Sequence, residues 1–222
     1  MKKLTALTAA LVFGGAAFAF DLNEVKPGVY MTSAPDAAQT SPEAKPKNPT
    51  FRLANAKSPI VGTLEVTENH ELVLKPVAGQ KEGQIAVCVL FPKMTKIRIS
   101  CSVKGEKFFA KAKGIPDNRF YIQARGANLF FRGGTEDVRY YDGGQEKPQY
   151  KVLQKVQNGE YIDIVMDIFC GEKPTYSVND KKDIAMKGKC DVLKRLVLNV
   201  QFRNVSPETC LKIKNLKITE IQ

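Results

Sequence analysis

Nine side chains of this 222-residue chain place hydrogen-bonding groups and an aromatic ring at alternating positions: Tyr121, Gln123, Arg125, Arg132, Asp163, Asp167, Asn199, Gln201 and Arg203. Amides, guanidinium groups and carboxylates can bond sugar hydroxyls, and a tyrosine ring can stack on a pyranose, so these nine form the candidate ligand-binding set. The chain has no tryptophan, the largest stacking platform. Tyrosine and phenylalanine would have to take its place.

Other chemistries lack their parts. His70 is the sole histidine and sits in a turn-forming stretch, Glu68-Asn69-His70, which leaves Ser-His-Asp and Cys-His nucleophilic systems and histidine zinc sites unsupported. No Asp-x-Asp-x-Asp calcium loop occurs, and the acids near Glu136-Asp137 and Asp142 lie beside glycine pairs that read as hairpin turns. Gly126, Gly133, Gly134, Gly143 and Gly144 all fall between strands, with no helix after them to cradle phosphate. No catalytic residue, metal or cofactor is expected.

The elements that position the nine residues are strands. Segments such as Ile85 to Phe91, Lys96 to Val103, Arg119 to Arg125, Asn128 to Arg132, Tyr161 to Phe169, Leu193 to Phe202 and Leu211 to Ile221 are rich in Val, Ile, Phe, Tyr and Leu at period two. Turn residues such as Gly133-Gly134 and Asn158-Gly159 separate them, and no window favours a helix. The fold expected is all-β, an antiparallel sandwich of two sheets. Alternation buries Phe120, Ile122 and Ala124 in one strand, Ile162, Ile164, Met166 and Ile168 in another, and Leu196, Leu198, Val200 and Phe202 in a third. Tyr121, Gln123 and Arg125, then Asn128, Phe130 and Arg132, then Asp163 and Asp167, and finally Asn199, Gln201 and Arg203 are left facing away from the core.

Residues 1–19 read as a cleavable secretory signal: Lys2 and Lys3, an apolar run from Leu4 to Phe18, and small residues at Ala17 and Ala19. The expectation is a secreted, periplasmic or cell-surface protein. No Leu-x-x-Cys lipoprotein pattern follows, and no second apolar run approaches the roughly 18 residues of a membrane span. Residues 20–50 are rich in Pro, Ala, Ser, Thr and Lys and read as a flexible tether, with the folded domain over 51–222. The net charge of +11 falls to +9 when the two lysines of the signal are removed. Its lysines and arginines are dispersed, which suits a solvated surface or attraction to an anionic envelope polymer, and an exported chain is a poor partner for nucleic acid.

Five cysteines, Cys88, Cys101, Cys170, Cys190 and Cys210, would meet an oxidising compartment, and the sequence leaves their pairing open. One arrangement has favourable geometry. A hairpin centred on Met94-Thr95 would set Cys88 opposite Cys101, and opposed Cβ atoms about 4.5 to 5.5 Å apart can be bridged after slight adjustment. Cys170 and Cys190 flank a second expected hairpin. Buried free thiols are the alternative for several of them.

The carboxyl half runs Tyr150-Lys-Val-Leu-Gln-Lys-Val-Gln-Asn-Gly-Glu-Tyr-Ile-Asp-Ile-Val-Met-Asp-Ile, then Thr175-Tyr-Ser-Val-Asn-Asp-Lys181, then Cys210-Leu-Lys-Ile-Lys-Asn-Leu-Lys-Ile. This order resembles the concanavalin A-like lectin and glucanase jelly rolls, in which a strand after Asn-Gly leads to a short Asn-Gly-Lys-like turn and an Ile-Lys-Asn-Leu-like strand closes the fold. The resemblance implies a curved sandwich whose concave face meets glycans. It also implies a test for catalysis, because laminarinase-type members carry a Glu-x-Asp-x-x-Glu strand. Here Glu160 and Asp163 fall on opposite faces, and Asp163 and Asp167 share a side about 13 Å apart. Paired-carboxylate hydrolysis needs about 5 to 9.5 Å. The leading expectation is therefore a non-catalytic domain that binds a glycan or cell-envelope polymer; the alternatives are an envelope or adhesion scaffold without a small-ligand site, and a divergent polysaccharide hydrolase or lyase.

Overall fold

Period-two alternation is realised as strands throughout the computed structural model, which describes residues 18–32, 50–53, 62–77, 82–110, 117–124, 127–141, 150–184 and 193–221. In chain order the strands are β1 (Phe18–Asp21), β2 (Gly28–Thr32), β3 (Thr50–Leu53), β4 (Thr63–Val66), β5 (Leu72–Lys75), β6 (Gly83–Met94), β7 (Lys96–Glu106) and β8 (Arg119–Ala124). There follow β9 (Ala127–Arg132), β10 (Asp137–Tyr141), β11 (Tyr150–Lys155), β12 (Ile162–Phe169), β13 (Thr175–Val178), β14 (Lys181–Ile184), β15 (Leu193–Phe202) and β16 (Cys210–Glu220).

Two antiparallel sheets form a jelly-roll sandwich. The nine-stranded sheet has the order β14-β13-β12-β7-β16-β5-β4-β2, with β1 paired to β16 beyond the end of β5. The seven-stranded sheet has the order β11-β10-β9-β8-β15-β6-β3. The residues that alternation assigned to the core are there: Phe120, Ile122 and Ala124 from β8, the even positions of β12, and Leu196, Leu198, Val200 and Phe202 from β15 are all buried. Aromatic rings fill the space between the layers. Phe108 meets Phe109 and Phe202 edge to face, and Tyr140 of one sheet stacks on Tyr176 of the other with centroids 5.2 Å apart. The Tyr176 hydroxyl finds a partner by accepting a hydrogen bond from the Asn128 backbone N–H at 3.0 Å.

The amino-terminal boundary departs from the sequence expectation. Part of the stretch expected as a tether is folded, since β1 lies on β16, β2 on β4 and β3 on β6, all before or across position 51. Phe20 and Leu22 enter the core, and Asp21 pairs with Lys217 at 2.9 Å, so this short piece carries its own apolar anchors despite the polar composition around it. Residues 1–17 and the proline-bearing 33–49 lie outside the described residues.

The Cys88–Cys101 pairing is also corrected. Only Thr95 separates β6 from β7, yet the two strands belong to different sheets and do not pair. Pro92 cannot donate to a ladder, and β6 bulges at this point, Met94 facing Leu193 while Leu90 faces Arg195. The chain thus turns from one layer to the other. Cys88 stands in register with Val197 on the outward side of β6, whereas Cys101 stands opposite Ile164 and points into the core. Burial, followed by the charge of Asp163, pushes the Cys101 thiol up to about 12. Cys170 follows β12 and donates its N–H to the Thr95 carbonyl, while its expected partner Cys190 lies outside the described residues.

Candidate functional site

The outward side of the seven-stranded sheet is built by the same alternation that fills the core. Turning Phe120 and Ile122 inward sends Arg119, Tyr121 and Gln123 outward on β8; burying Leu129 and Phe131 does the same for Asn128, Phe130 and Arg132 on β9. Burying Val138 and Tyr140 presents Asp137, Arg139 and Tyr141 on β10, and β15 contributes Val197, Asn199 and Gln201. Register then sorts these side chains into rows across the strands. Asn199, Tyr121, Phe130 and Arg139 form one row; Gln201, Arg119, Arg132 and Asp137 form the next; Val197, Gln123 and Asn128 form the row on the other side. Neighbours within a row are about 4.8 Å apart, and rows are separated by about 7 Å.

The central feature is aromatic. Tyr121 and Phe130 stack with centroids 4.6 Å apart and planes 11° from parallel, Tyr150 leans on Phe130 at 5.4 Å, and Tyr141 lies 5.7 Å from Tyr150. Phe130 is buried beneath its neighbours, while Tyr150 and Val152 on the edge strand β11 stay exposed. Burial raises the Tyr150 phenol, the neighbouring Tyr121 and Tyr141 add to that, and Arg119 pulls the other way without cancelling it. Tyr150 is therefore a protonated hydrogen-bond donor at neutral pH.

Charged groups surround the rings, and most are paired. Arg132 meets Asp117 at 2.6 Å, and Arg139 makes a two-pronged bond to Asp137 at 2.7 and 2.9 Å. Gly134 permits the first pair, because a Cβ there would come within 1.6 Å of the Asp117 carboxylate. Gln84 reaches Asn199 at 3.3 Å. Three buried polar atoms on this face have no hydrogen-bond partner among the described residues: Arg119 Nε, Asn128 Oδ1 and Gln201 Oε1.

Not all of the nine sequence candidates meet here. Tyr121, Gln123, Arg132, Asn199 and Gln201 do, and Arg203 lies just past the end of β15, where its N–H donates to Asn118 Oδ1. Arg125 lies outside the described residues. Asp163 and Asp167 stand on the far side of the molecule, on the outer face of the nine-stranded sheet, and both are engaged. Asp163 accepts from Ser102 at 2.6 Å, and Asp167 is gripped by Arg98 at 2.7 and 2.8 Å. Alternation told which residues face outward but not from which layer. Conversely, Arg119, Tyr141 and Tyr150 belong to the site and were not among the nine; Arg119 is two residues from Tyr121, so extending the same alternation would have found it.

No protein-family model and no curated protein matches the sequence. Solved structures do match by shape. A sialidase aligns with 78% of this chain at a TM-score of 0.56 and 10% identity, and this chain spans 17% of that protein. The receptor binding domain of botulinum neurotoxin D aligns with 79% of the chain at a TM-score of 0.52 and 10% identity, and the chain spans 45% of its length. The receptor binding domain of the C/D mosaic serotype gives a TM-score of 0.52 at 11% identity over 79% of this chain and 44% of its own. The shared feature is the fold, a jelly-roll sandwich of the concanavalin A-like type.

Proposed function

We propose that this protein binds glycans on the outer face of its seven-stranded sheet, with the half-exposed Tyr121 ring, backed by Phe130, as the platform for a sugar ring. The observation that carries this reading is the meeting of stacked rings with the half-exposed Arg119, Asn128 and Gln201 side chains on one outward face. A sugar can bond its hydroxyls to these amide and guanidinium groups while its apolar face covers the rings. Binding, rather than polysaccharide cleavage, is favoured by the state of the acids. Asp117 and Asp137 on this face each hold an arginine, and Asp163 and Asp167 are held on the opposite layer.

A glycan array probed with the full chain at low salt and at about 0.15 M salt separates sugar recognition from charge attraction. Binding is expected to survive the higher salt and to fall at least about tenfold in Tyr121→Ala, the scale of a buried aromatic contact. Binding that vanishes at about 0.15 M salt would reduce the reading to charge alone. No binding under either condition would favour a scaffold.

Export belongs to the same reading, since residues 1–19 have the composition of a cleavable leader. Cleavage after Ala19 would remove Phe18 and Ala19 from β1 but leave Phe20 buried and Asp21 paired with Lys217, so the sandwich tolerates it. Mass spectrometry of the protein recovered from its native host is expected to find Phe20 as the first residue; an intact Met1 would refute processing.

A further inference from the structure

Charge on the proposed binding face is unevenly satisfied. Around the ring cluster stand four cations, Arg119, Arg132, Arg139 and Lys155, against two carboxylates, Asp117 and Asp137. Asp117 is taken by Arg132, and Asp137 is shared by Arg139 and Lys155. Arg119 is left with no carboxylate partner among the described residues. It sits in the middle of the sheet, between Gln201 on β15 and Arg132 on β9, one row from the Tyr121 ring.

The unpartnered atoms also differ in sign. The amides of Gln201 and Asn128 call for groups such as sugar hydroxyls; the half-exposed Arg119 guanidinium carries a permanent charge and calls for an acceptor, best an anionic one. A neutral sugar meets the first demand but leaves the arginine charge uncompensated where rings and strands have removed part of its water. A carboxylate matches the planar guanidinium with two parallel bonds.

From these observations, and resting on the glycan-binding reading above, we infer that the ligand is an acidic glycan and that Arg119 receives the carboxylate of a sugar unit seated on Tyr121. A hydroxyl of the same unit bonds to Gln201, the neighbour of Arg119 in its row. Arg119 is then the specificity-determining residue of the face, and the ring pair supplies binding common to charged and neutral sugars. The proximity of Arg119 to Tyr150, felt as the downward pull on that phenol, places its charge at the edge of the ring cluster rather than away from it.

The test measures binding of the full chain to polygalacturonate, alginate and hyaluronate, each beside its carboxyl-reduced neutral counterpart, and to dextran sulfate beside dextran, at about 0.15 M salt. At least one acidic polymer should bind tenfold or more better than its reduced form, a difference of about 1.4 kcal/mol or more. Arg119→Gln should abolish that difference, Arg119→Lys should restore only part of it, and Tyr121→Ala should weaken both forms. Equal binding of acidic and reduced forms overturns the acidic inference while leaving the glycan reading intact. A preference retained in Arg119→Gln overturns it by showing diffuse charge, and a preference confined to dextran sulfate overturns the carboxylate assignment. No binding to any polymer defeats both readings. The comparison of paired ligands on the unaltered protein keeps the inference open to refutation even if an Arg119 variant folds poorly.

Discussion

Asn118→Ala is expected to destabilise the protein by about 4 kcal/mol, enough to leave a large unfolded fraction in a domain of ordinary stability. Asn118 is 1% exposed and stands just before β8. Its side-chain oxygen accepts from the N–H groups of Arg203 and Asn204, both at 2.8 Å, and its amide nitrogen donates to the carbonyls of Phe108 and Asn204 at 3.1 and 3.0 Å. Alanine removes every one of these bonds and offers nothing in return, and water has little access to replace them. Because the same side chain ties the start of β8 to the end of β15, the rows that hold Arg119 and Gln201 should lose their register as well. Urea unfolding followed by circular dichroism reads the stability. A loss below about 1 kcal/mol would show that these bonds contribute little net. Asn118→Asp provides a control of chemistry: it keeps the acceptor, loses the donor, and sets a carboxylate oxygen against two carbonyls, so it too should destabilise.

The second large effect is expected at Asp137, whose side chain is 2% exposed. Burial disfavours its charge, but hydrogen bonds from Arg139 and Thr135 and the charges of Arg139 and Lys155 outweigh burial and hold the carboxyl below its ordinary value of 3.8. A carboxyl whose folded-state pKa is depressed stabilises the fold fully above the unfolded value. That contribution is lost as pH falls through the lower folded-state value. Asp137→Asn should therefore cost about 3 kcal/mol at pH 7, since it removes the charge opposite a half-buried guanidinium. The difference between wild type and variant should stay constant down to about pH 5 and shrink below the ordinary carboxylate range as the wild-type acid takes up a proton. Urea midpoints measured across that range check the slope. A difference that does not change with acid would mean that packing, not ionisation, is what Asp137 supplies.

Both residues show what could be read early and what could not. Asn118 and Asp137 are polar residues beside loops, and the partners of Asn118 at 108, 203 and 204 become visible only when strands are placed, whereas Arg139, two residues from Asp137 on the same strand face, follows from alternation. The same is true of Arg119. Its outward direction follows from period two, yet its lack of a carboxylate partner depends on which acids the neighbouring strands bring alongside it.

Strand alternation is a local property, because each residue adds a fixed half-turn to the direction of its side chain. For that reason the sequence by itself determined the all-β class, the buried faces of β8, β12 and β15, and the outward direction of Tyr121, Gln123, Arg132, Asn199 and Gln201. Layer membership is not local. Asp163 and Asp167 have the same alternation as Tyr121 but belong to the other sheet, Cys88 and Cys101 are parted by a bulge at Pro92, and Phe20 and Leu22 draw an otherwise polar amino-terminal stretch into the core. Only the tertiary structure decided these, since pairing between strands far apart in the chain fixes which outward faces become the same face.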